Sequence, residues 1–348
     1  MIFLNKKLVM ILSFFVSLII FTGCGNSDER VLNVYNFGDY IDETLLDEFE
    51  AEYGVKINYD TYATNEDMYY KIKQGGANYD LIFPSDYMVE RMAKEDLLEK
   101  IDIKKLENIG NVGSNFLGLS FDPENEYSVP YLWGTLGIIY NTKTVKEPVD
   151  SWSVLWDSAY KKEILMYDSL RDTMAVALKK LGYSMNTTDL NELEEAKNLL
   201  IEQKPLVRAY VGDNVKDMMI GEEAALAVVY SGEAMFMMEN NPNLKYITPK
   251  EGTNLWFDTM AIPKESENKE EAMLFIDFLL RAESGKKIVD YIGYSTPNDK
   301  TYDLLDSEIK EIPGAYPEES VIKKSEVFID LGEALKDYNR IWTEIKVH

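Results

Sequence analysis

Apolar and polar residues recur along the chain with periods that predict short strands followed by amphipathic helices. In residues 42–53, for example, Leu45, Phe49 and Tyr53 share one helical face, and Gly54 follows as a stop signal. Strand and helix alternate at the spacing of an α/β protein, in which mostly parallel sheets carry helices on both faces. The predicted strands are 32–37, 55–62, 79–84, 137–141, 224–230 and 257–262, and the predicted helices are 42–53, 65–73, 87–94, 193–203, 233–239 and 272–281.

The chain has 348 residues, which is enough for two domains of ~100–200 residues each. No internal repeat, low-complexity tract or Pro/Gly-rich linker divides it into two halves. Two domains without a linker indicate lobes that are joined by strands crossing between them. Each lobe would then be discontinuous in sequence.

The N-terminus has the pattern of an export signal. A basic start precedes an apolar run at residues 8–21, which is short for a membrane span. Cys24 follows in the segment FTGC, which resembles a bacterial lipobox with Phe in place of the usual Leu. We predict a signal peptide at residues 1–23, lipidation of Cys24 and a tether at residues 24–30, because two acyl chains suffice for stable anchoring. A plain secretory signal with an incidental cysteine is the alternative.

The chain is strongly acidic. It has 61 Asp and Glu residues against 36 Lys and Arg residues, a formal net charge of −25. Such a chain repels nucleic acid, so we predict no nucleic-acid partner. Acidic surfaces also serve solubility, so the charge by itself does not establish a cationic ligand.

Several kinds of catalytic and metal site are excluded by composition. His348 is the only histidine and the last residue, and Cys24 is the only cysteine, so His triads, Cys or His metal clusters and disulfides within the chain are ruled out. The P-loop, dinucleotide-binding and nucleophile-elbow motifs are absent. Residues 122–126 lack the glycine and the final Glu of a calcium loop and are interpreted as a surface turn. We therefore predict neither a cofactor nor a metal.

The predicted strand ends combine aromatic residues with carboxylates. In open α/β sheets, ligands bind beyond the carboxyl ends of the strands. A ligand cation gains ~0.5–2 kcal/mol over an aromatic face, and carboxylates accept charged hydrogen bonds from ammonium groups. This combination suits a slender molecule with a positive group at each end, although each aromatic taken singly is more often core. The segments concerned are FGDY (37–40), SDY (85–87), YSGE (230–233) and WFD (256–258).

Five segments stand in order along essentially the whole mature chain: VYNFGDY (34–40), YDLIFPSDY (79–87), YSVPYLWG (127–134), WFDTMAIP (256–263) and IGYSTPN (292–298). Together they resemble the spermidine/putrescine-binding proteins of bacterial polyamine ABC transporters. The resemblance implies a two-lobed periplasmic-binding-protein fold of type II, each lobe a mostly parallel sheet flanked by helices, with the ligand in the interlobe cleft. We predict one lobe from residues 31–134 plus 258–304 and the other from residues 135–257 plus 305–348.

The resemblance also implies which residues line the cleft. Phe37 and Tyr230 take positions where the family has Trp, and Asp258 is the first choice for an essential acid. The predicted ligand-binding residues are Phe37, Asp39, Tyr40, Ser85, Tyr87, Asp168, Ser169, Asp172, Tyr230, Trp256, Asp258 and Tyr294.

Three positions depart from the family pattern. Ser169 aligns with a family Asp, and Asp172 aligns with a family Glu. Asp168 could compensate from the neighbouring position or cap the helix that follows it. Phe328 aligns with a family Gln, which removes one polar contact and leaves the preferred ligand length open.

The sequence hypothesis is a monomeric binding lipoprotein that captures spermidine or putrescine outside the cytoplasmic membrane, in the periplasm if the cell has two membranes. It would deliver the polyamine to ABC permease subunits driven by their ATPase and would have no catalytic activity. The alternatives are a binding protein for another small cation or amino compound, a surface glycoside hydrolase acting through paired acids, and an adhesion or interaction module.

Overall fold

The computed structural model describes residues 30–76, 78–311 and 314–348. A first, parallel sheet has β1 (Val31–Phe37) at its centre, with β2 (Lys56–Tyr62) on one side and β3 (Leu81–Ile82) on the other. Each strand is followed by a helix, as predicted: α1 (Thr44–Tyr53), α2 (Asn65–Lys73) and α3 (Asp86–Lys94). Gly54 ends α1 in the left-handed conformation, with φ 63°, which a glycine adopts without steric cost.

A second sheet is mixed. Its strands are β4 (Val129–Asn141), β5 (Ile164–Tyr167), β6 (Val207–Val211), β7 (Leu226–Tyr230), β8 (Leu244–Ile247) and β9 (Leu255–Met260). The long central strand β4 is antiparallel to β7, β8 and β9, whereas β5 is parallel to β6 and β7. The expectation of a mostly parallel sheet therefore describes the first sheet, and the antiparallel course of β4 makes the second one mixed.

Strand β4 joins the two halves of the molecule. Its first part pairs with β9, and its second part, from Leu136 onward, pairs with β7 and β8. Strand β9 in turn leads to the first sheet, where the backbones of Ile82 and Ala261 exchange two hydrogen bonds of 2.9 Å. Paired strands thus connect the halves in place of a linker.

Each sheet has its own apolar core. Leu32 and Val34 of β1 pack with Phe49 and Phe275 in one cluster. The strands of the second sheet pack in other clusters, and the C-terminal helix closes a further one against two helices on that side. Further helices are α4 (Leu170–Leu181), α5 (Leu190–Gln203), α6 (Val215–Ile220), α7 (Ser231–Asn240), α8 (Lys269–Leu279), α9 (Ala282–Ile292), α10 (Asp299–Leu304), α11 (Ser307–Lys310), α12 (Glu319–Ile322) and α13 (Leu335–Val347).

The predicted signal peptide and Cys24 lie outside the described residues. Among the residues that the structure describes, no helix combines the length and the apolar character needed to cross a membrane. The predicted lobe boundaries remain a prediction.

Candidate functional site

Asp258, on β9, lies where three chain segments meet. Its carboxylate accepts hydrogen bonds from the Tyr40 hydroxyl and, at 2.5 Å, from Ser85 Oγ. Asn65 fixes Ser85 in turn, because its amide nitrogen donates to Ser85 Oγ at 2.9 Å and its amide oxygen accepts from the Ser85 backbone N–H at 3.0 Å. Three of the four strand-end segments that the sequence singled out therefore converge on one carboxylate.

Asp258 is buried, with only 7% of its surface exposed. Burial raises the pKa of Asp258 to about 6, although the hydrogen bonds from Ser85 and Tyr40 favour the ionised form. No Lys or Arg of the described residues forms an ion pair with it. A buried carboxylate without a cationic partner is costly, so the site is suited to a cation that comes from outside the chain.

Asp172 is a second buried carboxylate, in the first turn of α4. The Tyr230 hydroxyl donates to its Oδ2 atom at 2.8 Å. Its other oxygen, Oδ1, is buried and has no hydrogen-bond partner among the described residues. Burial raises the pKa of Asp172 as well. The Oδ1 atom of Asp172 is therefore available to accept a hydrogen bond from a bound ligand.

Four aromatic rings form a row between these two carboxylates, which we call the aromatic row. The ring centroids of Tyr40 and Tyr294 are 5.9 Å apart, those of Tyr294 and Trp256 are 4.8 Å apart, and those of Trp256 and Tyr230 are 6.1 Å apart. All three pairs are edge to face. The Tyr40 hydroxyl donates a hydrogen bond to Asp258, and the Tyr230 hydroxyl donates one to Asp172. The aromatic row therefore extends from one buried carboxylate to the other.

Of the other predicted aromatic residues, Phe37 lies beside the aromatic row and Tyr87 contacts a different cluster. The Phe37 ring lies 5.4 Å from that of Tyr40. Tyr87 donates from its hydroxyl to Glu66 at 3.1 Å and packs against the cluster that contains Phe328. The guanidinium of Arg171 lies 4.2 Å from the centre of the Phe328 ring. Phe328, which aligns with the family glutamine, therefore belongs to the apolar cluster that Tyr87 packs against, and its ring contacts the guanidinium of Arg171.

Asp39 and Asp168 are exposed, unlike the two buried carboxylates. Asp39 has φ 52°. The carboxylate of Asp168 accepts a hydrogen bond from Lys346 on the C-terminal helix at 2.8 Å. The helix cap is Ser169, whose hydroxyl accepts from the Asp172 backbone N–H, so the interpretation of Asp168 as the cap is wrong. A short serine side chain at this position satisfies a backbone donor at the helix start.

Two buried carboxyl groups were absent from the predicted site. Glu233, on α7, accepts from the Tyr230 backbone N–H at 3.2 Å, and burial raises its pKa to about 7. Asp86, on α3, accepts from the backbone N–H of Phe257 at 3.0 Å, and burial raises its pKa to about 8. Both belong to strand-end segments that combine an aromatic residue with a carboxylate, which is the signal that could have found them.

The unliganded protein should lose stability as the pH rises from about 5 to about 8. A carboxyl group with a raised folded-state pKa stabilises the protein below its unfolded pKa, and this contribution is lost as the pH rises through the folded pKa. Asp258 and Glu233 titrate at about 6 and about 7, within this range. Thermal unfolding at the two pH values measures the effect, and Asp258→Asn should reduce it. A melting temperature that is higher at pH 8 would contradict the assignment.

The described residues contain no group of three or more His, Cys, Asp and Glu side chains placed to hold a metal ion.

Comparison with known proteins places the chain among binding proteins. The family model for the bacterial extracellular solute-binding protein matches residues 44–317. The spermidine/putrescine-binding periplasmic protein of Salmonella typhimurium is 39% identical over 323 residues, which are 92% of each chain. The putrescine-binding periplasmic protein PotF of Escherichia coli is 28% identical over 99% of this chain and 98% of its own.

Solved structures have the same two-lobed fold. The spermidine/putrescine substrate-binding protein PotD of Streptococcus pneumoniae superposes with a TM-score of 0.86 at 43% identity, covering 91% of this chain and 99% of its own. The TpPotD lipoprotein of Treponema pallidum superposes with a TM-score of 0.83 at 28% identity, covering 92% and 100%. The structure is thus an α/β periplasmic-binding-protein fold with helices flanking both sheets, and the chain belongs to the bacterial extracellular solute-binding protein family.

Proposed function

We propose that this protein captures spermidine or putrescine outside the cytoplasmic membrane and delivers it to the permease of an ABC importer. The observation that carries the proposal is the pair of buried carboxylates, Asp258 and Asp172, at the two ends of the aromatic row. Relatives that are 39% identical are named for binding these two polyamines. A cell-surface cleft that recognises such a ligand needs only to hold it and release it, so we propose no catalytic activity.

The recognition follows from the chemistry of a polyamine. Each terminal ammonium would find a carboxylate that forms no ion pair with a Lys or Arg side chain of the described residues, and charge-assisted hydrogen bonds are about twice as strong as neutral ones. The aliphatic stem between the ammonium groups would lie against aromatic faces, which also attract cations. Phe328 stands where the family has a polar glutamine. The ratio of the affinities for spermidine and putrescine will therefore show whether this replacement changes the preferred ligand length.

Isothermal titration of the chain from Gly25 onward tests the proposal. The ligands are spermidine, putrescine and an uncharged sugar as the control. Micromolar or tighter binding of one of the polyamines, without binding of the sugar, is the expected result. The absence of heat with both polyamines would refute the assignment of the ligand while leaving the fold unchanged.

We also propose that Cys24 is lipidated and anchors the protein to the membrane, with residues 24–30 as the tether. The similar TpPotD of Treponema pallidum is named a lipoprotein. Cys24→Ser should move the protein from the membrane fraction to the soluble fraction, because serine lacks the sulfur atom through which the two acyl chains would be attached. Asn26→Ser is the matched control and should stay in the membrane fraction. Retention of Cys24→Ser with the membrane would contradict the anchor.

A further inference from the structure

Gly232, in the first turn of α7, touches the ring of Tyr294. A methyl group at this glycine would lie 1.9 Å from both Cδ1 and Cε1 of Tyr294, far inside van der Waals contact. The neighbouring residues continue the contact, because a Cβ atom on Gly293 would lie 3.9 Å from Cβ of Met235 and 3.9 Å from the carbonyl oxygen of Gly232. The helix and the segment after α9 therefore meet with no side chain between them at Gly232.

The backbone does not explain this glycine. The φ angle of Gly232 lies outside the left-handed region, and the residue is helical. Glycine in a helix is less stable than alanine by about 0.5–1 kcal/mol, so its local effect is unfavourable. The close approach of Tyr294 is the feature of the structure that an alanine would disrupt.

The contact joins the two halves of the molecule. Tyr294 packs against the cluster built on the first sheet, which contains Leu32 and Phe275. Helix α7 packs through Ala234 and Met237 into a cluster of the second sheet. Tyr294 also stands in the aromatic row, edge on to Trp256. A side chain at Gly232 would therefore separate the halves at the point where the aromatic row passes between them.

We propose that Gly232 is the closing contact of the cleft: its missing side chain lets α7 seat against Tyr294 when the two halves close on a ligand. The inference rests on the proposed function and adds a residue that positions the aromatic row without providing a side chain to the ligand. On this proposal the contact forms only when the two halves close, so alanine at this position would act on closure and not on folding. Binding that selects a closed state weakens when that state is destabilised.

The first test compares Gly232→Ala with Gly212→Ala. Gly212 is the matched control because a methyl group there has no atom within 4 Å and its φ is outside the left-handed region. Gly232→Ala should weaken spermidine binding by about tenfold or more, while the melting temperature of the unliganded protein stays the same or rises. Equal affinity of Gly232→Ala and wild type would overturn the proposal. A weaker affinity accompanied by an equal loss of unliganded stability would also overturn it.

The second test reads closure directly by cross-linking. In a chain from Gly25 onward, which has no other cysteine, Met235→Cys and Gly293→Cys would place two Cβ atoms 3.9 Å apart, within disulfide range. Gly293 has φ 82°, where a side chain is strained, so every rate is compared within this double-cysteine chain. We expect the disulfide to form faster when spermidine is present, and Gly232→Ala to slow its formation. Equal rates with and without spermidine would show a permanent contact. An unchanged cross-linking rate in Gly232→Ala would show that the alanine moves the Tyr294 ring without hindering closure. Each of these two results would overturn the proposal.

The two proposals can fail separately. If wild type binds spermidine and Gly232→Ala binds it equally well, only the closing contact is refuted. If wild type binds no polyamine, the ligand assignment is refuted, and the cross-linking rate without ligand still tests closure. Gly232→Ala should lower that rate, and an unchanged rate would overturn the closing contact.

Discussion

Asp258→Asn should weaken polyamine binding more than any other single change at the site. The substitution keeps the shape of the side chain and an acceptor for the hydroxyls of Tyr40 or Ser85, but it leaves a buried ammonium without its carboxylate. Truncating one partner of a buried charge pair costs about 2–5 kcal/mol, a loss of about 30-fold or more in affinity. Isothermal titration with spermidine and with putrescine measures it.

Asp150→Asn is the matched control for this loss. Asp150 is exposed and pairs with Lys250, so the control removes the same charge from the surface and should leave the affinity unchanged. The unliganded Asp258→Asn protein should be at least as stable as wild type at about pH 8, because a buried carboxylate with a raised pKa no longer has to ionise. Unchanged affinity for both polyamines would mean that the cleft is placed wrongly.

Asp172→Asn should produce the second large loss. One oxygen of Asp172 is buried without a hydrogen-bond partner in the described residues, and the other is held by Tyr230. The amide keeps an acceptor for the Tyr230 hydroxyl and removes the charge, so we expect a loss of about 2 kcal/mol or more, about 30-fold in affinity. Titration against the same Asp150→Asn control measures it. Wild-type affinity in Asp172→Asn would show that this end of the aromatic row does not contact the ligand.

A double mutant decides whether the two acids hold different ends of the ligand. Asp258 and Asp172 lie at opposite ends of the aromatic row, and distant sites without a shared partner add within about 0.3–0.5 kcal/mol. The losses in free energy of binding should therefore add in Asp258→Asn/Asp172→Asn. A double mutant no weaker than Asp258→Asn would show that both acids serve a single ammonium group.

Much of the fold could be predicted from the apolar periodicity. The predicted helix at 65–73 matches α2, and the predicted strand at 32–37 lies within β1. The central strand was predicted at 137–141 and begins eight residues earlier, at Val129. Pro130 and Gly134 are poor local signals for a strand, and pairing with β9 stabilises this part of β4 instead. Local patterns do not record a partner strand that lies more than a hundred residues away.

The candidate site, like the fold, was predicted in part from local sequence and decided in part by tertiary structure. Aromatic residues and carboxylates at strand ends, and the five segments in family order, are properties of the sequence by itself, because strand ends and motifs are local. Which acids are available to a cation was decided by tertiary structure. Asp168 is neutralised by Lys346, 178 residues away, whereas Asp258 is buried beneath Tyr40 and Ser85 with no cation beside it in the described residues. Burial and distant partners set the charge and the pKa of a carboxylate, and both arise only when the chain has folded.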